Sequence, residues 1–98
     1  MTIEMKRSEQ EVVVEVAGRL DTITAPTLEK KLNENIQDKD ALILDFKALE
    51  YVSSAGLRIL LAAQKRMQKR GSMKVRNVCE EIMDVFEMTG FADILTIE

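Results

Sequence analysis

Strand patterns and helix patterns alternate along the 98-residue chain, and no other feature limits its possible folds so strongly. Residues 2–6 and 11–17 alternate apolar with polar side chains, as the two strands of a hairpin do. Three helix patterns follow, and a strand pattern comes after each of them. The order ββαβαβαβ requires a mainly parallel sheet with right-handed crossovers and one antiparallel edge strand. The predicted fold class is therefore α/β.

The segment Ala41–Phe46 predicts the central strand of the sheet. It is an apolar run interrupted by a single carboxylate, and such runs are typical of a parallel strand that is buried on both faces. Further strands are predicted over Met73–Val78 and Ile94–Ile97. We expect the central strand to lie inside the sheet, with Leu42 and Leu44 both buried.

Residues typical of helix starts predict two of the three helix N-termini. Thr24 is expected to cap the first helix, and Ile23 and Leu28 have the spacing of a hydrophobic staple. Asn77 and Glu80 have the spacing of a capping box at the third helix. In each case a side chain is expected to accept a hydrogen bond from a free backbone N–H group of the first turn.

The composition is that of an ordinary globular domain. Apolar residues make up 46% of the chain and charged residues 32%, which excludes the profiles of disordered and membrane-spanning chains. The length predicts one domain over residues 1–98. One cysteine allows no internal disulfide, and Met1–Lys6 lacks the apolar stretch of a signal peptide. We expect a soluble cytoplasmic protein without a membrane partner.

The one cluster of positive charge does not predict a nucleic-acid site. It lies at the expected C-terminal end of the second helix and consists of Lys65, Arg66, Lys69 and Arg70. Cations there complement the negative end of the helix dipole, and the chain as a whole carries a net charge of −3. Because nucleic-acid binding demands the neutralisation of many phosphates, we expect no nucleic-acid partner.

Residues that carry most enzyme chemistry are missing from the sequence. The chain has no histidine and only Cys79 as a thiol, so a zinc site of histidine and cysteine ligands cannot form. The four glycines are dispersed and form no phosphate loop, and Gly71 and Gly90 are predicted to end helices. Asp21 and Asp45 are interpreted as cap or turn residues. We expect no catalytic residue, no metal and no cofactor, and a small catalytic domain is the least favoured interpretation.

Two adjacent serines come directly before the second helix. Ser53 and Ser54 lie in a loop expected at the carboxyl end of the sheet, where α/β proteins bind their ligands. A helix N-terminus offers free N–H groups and a positive dipole end, so a phosphate on either serine would be tolerated. The simpler interpretation is that one serine only caps the helix. Gly56 likewise has a simpler interpretation, the close packing of the helix on the sheet.

Several segments taken together resemble the STAS domain family. They are Gly18–Asp21, Leu42–Phe46, Tyr51–Leu57 and Phe86–Phe91, with Ile94 close behind. The resemblance covers nearly the whole chain. It implies a right-handed β–α superhelix with the helices mainly on one side of the sheet.

The resemblance also implies a regulatory partner. Stand-alone members of the family are bacterial anti-sigma factor antagonists, which bind a kinase-type anti-sigma factor and so free the sigma factor. Phosphorylation of a serine at the start of the second helix breaks that complex, and a serine phosphatase restores it. In this chain the implied partner surface consists of Asp21, Thr22, Ser53, Ser54, Ala55, Gly56 and Arg58.

The sequence departs from the family motif at the acceptor position. The best-known members carry the phosphorylated serine directly before the glycine, where this chain has Ala55. Ser54 is therefore the first candidate phosphoacceptor and Ser53 the second. The alternative is a constitutive STAS scaffold module without a phosphoswitch. Ala55 favours this alternative, whereas the two adjacent serines favour the switch.

Overall fold

The computed structural model describes all 98 residues of the chain as one mixed sheet with helices. The elements in chain order are β1 (Thr2–Arg7), β2 (Glu11–Leu20), α1 (Ala25–Asn35), β3 (Ala41–Asp45), β4 (Leu49–Val52), α2 (Ser54–Gln68), β5 (Ser72–Arg76), α3 (Glu80–Thr89) and α4 (Phe91–Ile94). β1 pairs antiparallel with β2, and every other strand pairing is parallel. This confirms the predicted α/β class with an antiparallel pair at one edge.

The central strand lies where the sequence predicts it. β3 is hydrogen-bonded to β2 on one side and to β5 on the other, and Leu42 and Leu44 are fully buried. Burial on both faces, however, is a wrong prediction, because Val13 and Ile43 are only half-buried on the opposite face and Lys74 beside them is exposed. The helices therefore cover one face of the sheet, as the family resemblance implies.

The structure has one strand that was not predicted and lacks one strand that was. Leu49–Val52 forms β4, which was not predicted, and it pairs with the last residues of β2 after an irregularity at Gly18. The strand predicted over Ile94–Ile97 is absent except for a single bridge from Ile97 to Val75. Phe91 and Ala92 pack against the core as part of the short helix α4, which leaves only the last residues extended.

The capping predictions are wrong in their details. Thr24 occupies the N-cap of α1, but its hydroxyl bonds the chain before the helix and caps no N–H of α1. Ile23 is 85% exposed and Leu28 is fully buried, so no staple joins them. Asn77 adopts a left-handed φ of 58° and points to Asp45, so it forms no capping box with α3. Hydrogen bonds within the preceding loop replace the predicted cap at Thr24, and a tertiary contact replaces it at Asn77.

The two glycines predicted to end helices serve different purposes. Gly90 ends α3, as predicted, and adopts the left-handed conformation. Gly71 is not left-handed and lies two residues after Lys69, the C-cap of α2, so the prediction that it ends this helix is wrong. A side chain at Gly71 would collide with the carbonyl oxygen of Asp40, so close backbone packing explains this glycine.

Candidate functional site

The candidate site lies at the carboxyl ends of β2 and β4, where the chain passes from these strands into α1 and α2. Leu20 and Val52 are paired as neighbours at the carboxyl ends of these two parallel strands. The Ser53 backbone N–H donates to the carbonyl oxygen of Leu20 at 2.8 Å. The loop before α1 and the start of α2 are thereby held side by side at the carboxyl end of the sheet, where α/β proteins bind their ligands.

Asp21 organises the loop before α1. One carboxylate oxygen accepts hydrogen bonds from the backbone N–H groups of Ile23 and Thr24, both at 3.0 Å. The hydrogen bond from Thr24 is the main reason that the pKa of Asp21 lies below its usual range, and the nearby Arg19 guanidinium lowers that pKa further. The interpretation of Asp21 as a turn residue is confirmed. Its carboxylate is committed to the loop, and this commitment fixes the backbone that presents Thr22 and Ile23.

The two serines have different environments. Ser53 is the N-cap of α2, and its hydroxyl oxygen accepts a hydrogen bond from the Gly56 N–H at 3.3 Å. Ser54 is the first residue of the helix, is exposed, and makes no side-chain hydrogen bond in the loop. The interpretation that one of the pair acts as the helix cap is therefore confirmed for Ser53, and Ser54 carries the accessible hydroxyl.

Gly56 brings the first turn of α2 onto the sheet. It is buried, and a Cβ atom at this position would lie 2.8 Å from Leu20 Cγ and 2.9 Å from Val52 Cγ2. Only glycine therefore fits without displacing the side chains of Leu20 and Val52. The interpretation that Gly56 allows close packing of the helix on the sheet is confirmed. Its membership of the partner surface stays a prediction, and because Gly56 is buried and has no side chain, only its backbone is available for such a contact.

A shallow groove joins the first turns of α1 and α2. Its volume is about 270 Å³, and it is lined by Thr22, Ala25, Pro26, Glu29, Ala55, Arg58 and Ile59. Arg58 is exposed and belongs to none of the ion pairs of the chain. The structure thus brings Thr22, Ala55 and Arg58 together, beside Ser54.

Three residues near the serines were missed by the sequence analysis. Ile23 projects into solvent from the Asp21 loop, and Tyr51 is 40% exposed at the end of β4. The Arg19 guanidinium stacks over the Tyr51 ring, 4.1 Å from its centroid. The threonines on either side of Ile23 were the only signal that it lies on a surface loop. The staple pattern outweighed that signal in the prediction.

The site offers exposed groups without the machinery of a reaction. They are an apolar side chain, a hydroxyl and a guanidinium that is in no ion pair, beside a shallow groove. Of these, arginine is enriched in protein interfaces. No group of three or more histidine, cysteine, aspartate or glutamate side chains forms a potential metal site. None of the helices has the length and apolar character needed to cross a bilayer.

Comparison with known proteins relates this architecture to one family. The model of the STAS domain matches residues 2–98. The anti-sigma-B factor antagonist of Bacillus subtilis is 31% identical over 98 residues, which cover 99% of this chain and 90% of that protein. The crystal structure of an anti-sigma factor antagonist from Mycobacterium paratuberculosis superposes with a TM-score of 0.88 at 28% identity, over 98% of this chain and 83% of that one.

A more distant solved structure has the same fold. SpoIIAA of Bacillus in its phosphorylated form superposes with a TM-score of 0.77 at 18% identity, over 99% of this chain and 91% of that one. The family match over residues 2–98 and the 31% identical relative show that the chain belongs to the STAS domain family.

Proposed function

We propose that the protein is an anti-sigma factor antagonist that binds a kinase-type anti-sigma factor and frees the sigma factor. The observation that carries the proposal is the match of 99% of this chain to an anti-sigma-B factor antagonist. The exposed surface around Ile23, Ser54 and Arg58 supports it, because nothing in the fold covers these side chains. The proposed protein is a regulatory binding module of the bacterial cytoplasm and not an enzyme.

The proposed contact surface contains the predicted residues together with Ile23. Thr22, Ser54, Ala55 and Arg58 supply exposed or groove-lining side chains. Asp21, Ser53 and Gly56 shape the surface from within, through hydrogen bonds and close packing.

Phosphorylation of Ser54 is proposed as the switch, with Ser53 as the second candidate acceptor. The Ser54 hydroxyl is exposed and free, whereas that of Ser53 is engaged as the helix cap. A phosphate at the first residue of α2 would meet the positive end of the helix dipole, so the fold would tolerate it. The phosphorylated form of SpoIIAA, which shares the fold, supports the same idea. A serine phosphatase is the second proposed partner.

The switch would act through desolvation. A neutral serine can be packed against a partner at little cost, but a phosphate of nearly two negative charges would lose its water there. An uncompensated charge in such an interface costs several kcal/mol. The modified surface would therefore release the partner without unfolding.

Calorimetric titration against the cognate kinase-type anti-sigma factor tests the proposal. Ser54→Asp should weaken binding at least about tenfold, or about 1.4 kcal/mol, whereas Ser54→Ala should bind like the wild type but resist phosphorylation. Ser72→Asp is the matched control, because Ser72 is an exposed serine at the start of β5. Failure of the wild type to bind would refute the proposed function.

The second candidate is a constitutive STAS scaffold without a phosphoswitch. Ala55, at the usual acceptor position before Gly56, is the observation that favours it. Incubation with the kinase and ATP, followed by mass spectrometry, separates the two candidates. Binding of the partner without any phosphate transfer, and with equal affinity for wild type and Ser54→Asp, would establish the scaffold.

A further inference from the structure

The C-terminal end of α2 carries a cluster of unpaired positive charge. Its members, all exposed, are Lys65, Arg66, Lys69 and Arg70. The five ion pairs of the chain involve other cations. The cluster is thus a positive patch on a chain whose net charge is −3.

The helix dipoles account for only part of the cluster. The groove-lining residues place the starts of α1 and α2 together and their ends together, so the two helices run parallel. Each helix C-terminus is equivalent to roughly half a negative charge, so two termini offset about one of the four cations. The two helix termini therefore do not account for all four cations.

A groove of about 280 Å³ lies between these helix ends. It is lined by Ile36, Gln37, Arg66, Lys69 and Arg70, and is called the basic groove below. The Arg70 guanidinium donates to the carbonyl oxygen of Ile36 at 2.6 Å, and that of Arg66 donates to the Asn33 side-chain oxygen. Two guanidinium groups at the end of α2 are thus already hydrogen-bonded to the end of α1, across the seam between these two helices. This ordering lowers the entropy cost of binding an anion there.

The basic groove continues into an apolar stretch of the same seam. Arg66 also lines the neighbouring depression, together with Leu32, Ile59 and Ala62. Glu29 lies at the far side of that depression and adds a negative charge. A phosphate backbone following the seam would meet this carboxylate. A peptide could instead place apolar side chains on the seam and carboxylates at the basic end.

We propose that the basic groove binds an acidic segment of a protein partner, with its carboxylates against Arg66, Lys69 and Arg70 and its apolar side chains along the seam. The complementary charge and the adjoining apolar stretch argue for this occupant. The groove lies at the opposite end of the 15-residue helix α2 from Ser54, a rise of roughly 20 Å. The proposal therefore stands independently of the phosphoswitch.

Fluorescence anisotropy with a designed peptide tests the basic groove. The probe is a labelled synthetic helix of about 14 residues, long enough to follow the seam, with a leucine and alanine stripe and glutamates clustered at one end. Lys69→Glu should weaken its binding at least about tenfold, since a charge reversal turns attraction into repulsion. Lys30→Glu, an exposed lysine of α1 outside any ion pair, is the matched control and should leave Kd within about twofold.

Several outcomes would overturn the proposal. They are equal Kd values for wild type and Lys69→Glu, equal binding of a peptide with glutamine in place of glutamate, and tighter binding of duplex DNA or of anionic lipid vesicles than of the peptide. Ser54→Asp should leave the Kd of the peptide unchanged. A failure here is thereby distinguished from a failure of the proposed antagonist function.

Discussion

At the scale of single residues, the candidate site depends on side chains that point in opposite directions from the same loop. The Asp21 carboxylate accepts hydrogen bonds from two backbone N–H groups of its own loop, whereas the Ile23 side chain of that loop projects into solvent. Ile23 is 85% exposed and follows Thr22, which lines the groove between α1 and α2. We expect Ile23 to contribute to binding and not to folding.

Replacement of Ile23 tests this separation. Ile23→Ser should weaken binding to the kinase-type anti-sigma factor by about 1–3 kcal/mol, because a buried apolar anchor would be lost from the interface. The free energy of unfolding should change by less than about 0.5 kcal/mol. Titration calorimetry and urea denaturation measure the two quantities.

The control for Ile23 is Met88→Ser. Met88 is 86% exposed on α3, outside the candidate site, so its replacement should affect neither quantity. Equal partner affinity for Ile23→Ser and Met88→Ser would exclude Ile23 from the interface.

At the scale of elements, α2 combines a buried face with an exposed N-terminal end. Leu57, Leu60 and Met67 lie on its buried face, whereas Ser54 at its start is exposed. Gly56 allows this arrangement because it lets the first turn rest directly on β2 and β4. We therefore expect stability and partner binding to depend on different residues of this helix.

Substitutions on the two parts of α2 should differ in cost. Leu60→Ala should lower the free energy of unfolding by roughly 2–5 kcal/mol, because Leu60 is fully buried and a cavity would remain. Ser54→Ala should cost about 1 kcal/mol or less, since Ser53 and not Ser54 provides the cap. Chemical denaturation that ranked Ser54→Ala as the more damaging change would contradict this assignment.

At the scale of the whole molecule, the carboxylate of Asp45 at the end of β3 is hydrogen-bonded to the loop after β3, to the last residue of β5 and to the residue that follows it. Burial of its side chain tends to raise the pKa of Asp45. Hydrogen bonds from the Lys47 N–H at 3.0 Å, the Asn77 amide at 3.1 Å and the Arg76 guanidinium at 3.2 Å outweigh burial. The pKa therefore lies below its ordinary value, and the ionised form stabilises the fold.

This network makes the stability of the fold depend on pH. A lowered folded-state pKa gives a contribution that is complete above the unfolded-state value of about 4 and is lost as the pH falls through the folded-state value. Asp45→Asn should lower the free energy of unfolding by about 1–3 kcal/mol at pH 7. The difference between variant and wild type should shrink on acidification below about pH 4. Urea titrations across this range measure it, and a constant difference would show that ionised Asp45 has no such role.

The order of the main elements, the buried Leu42 and Leu44, and the serine loop before α2 could be predicted from the sequence. These features follow from local periodicity, which the chain carries in every window of a few residues. The Gly90 helix end was predictable from a property of one residue, because glycine adopts the left-handed conformation without steric cost. The candidate site could be located, but not its full set of exposed side chains.

Only the tertiary structure decided where short or ambiguous segments belong. β4 exists because the end of β2 offers it a partner, and the predicted last strand is reduced to one bridge because Phe91 packs on the core as part of a helix. Ile23 is exposed because Asp21 hydrogen-bonds the loop on which it lies, and Asn77 turns to Asp45 instead of capping α3. Contacts between residues distant in sequence set β4, the last bridge and the position of Asn77, whereas hydrogen bonds within one loop set the exposure of Ile23. Neither kind of contact leaves a periodic pattern in the chain.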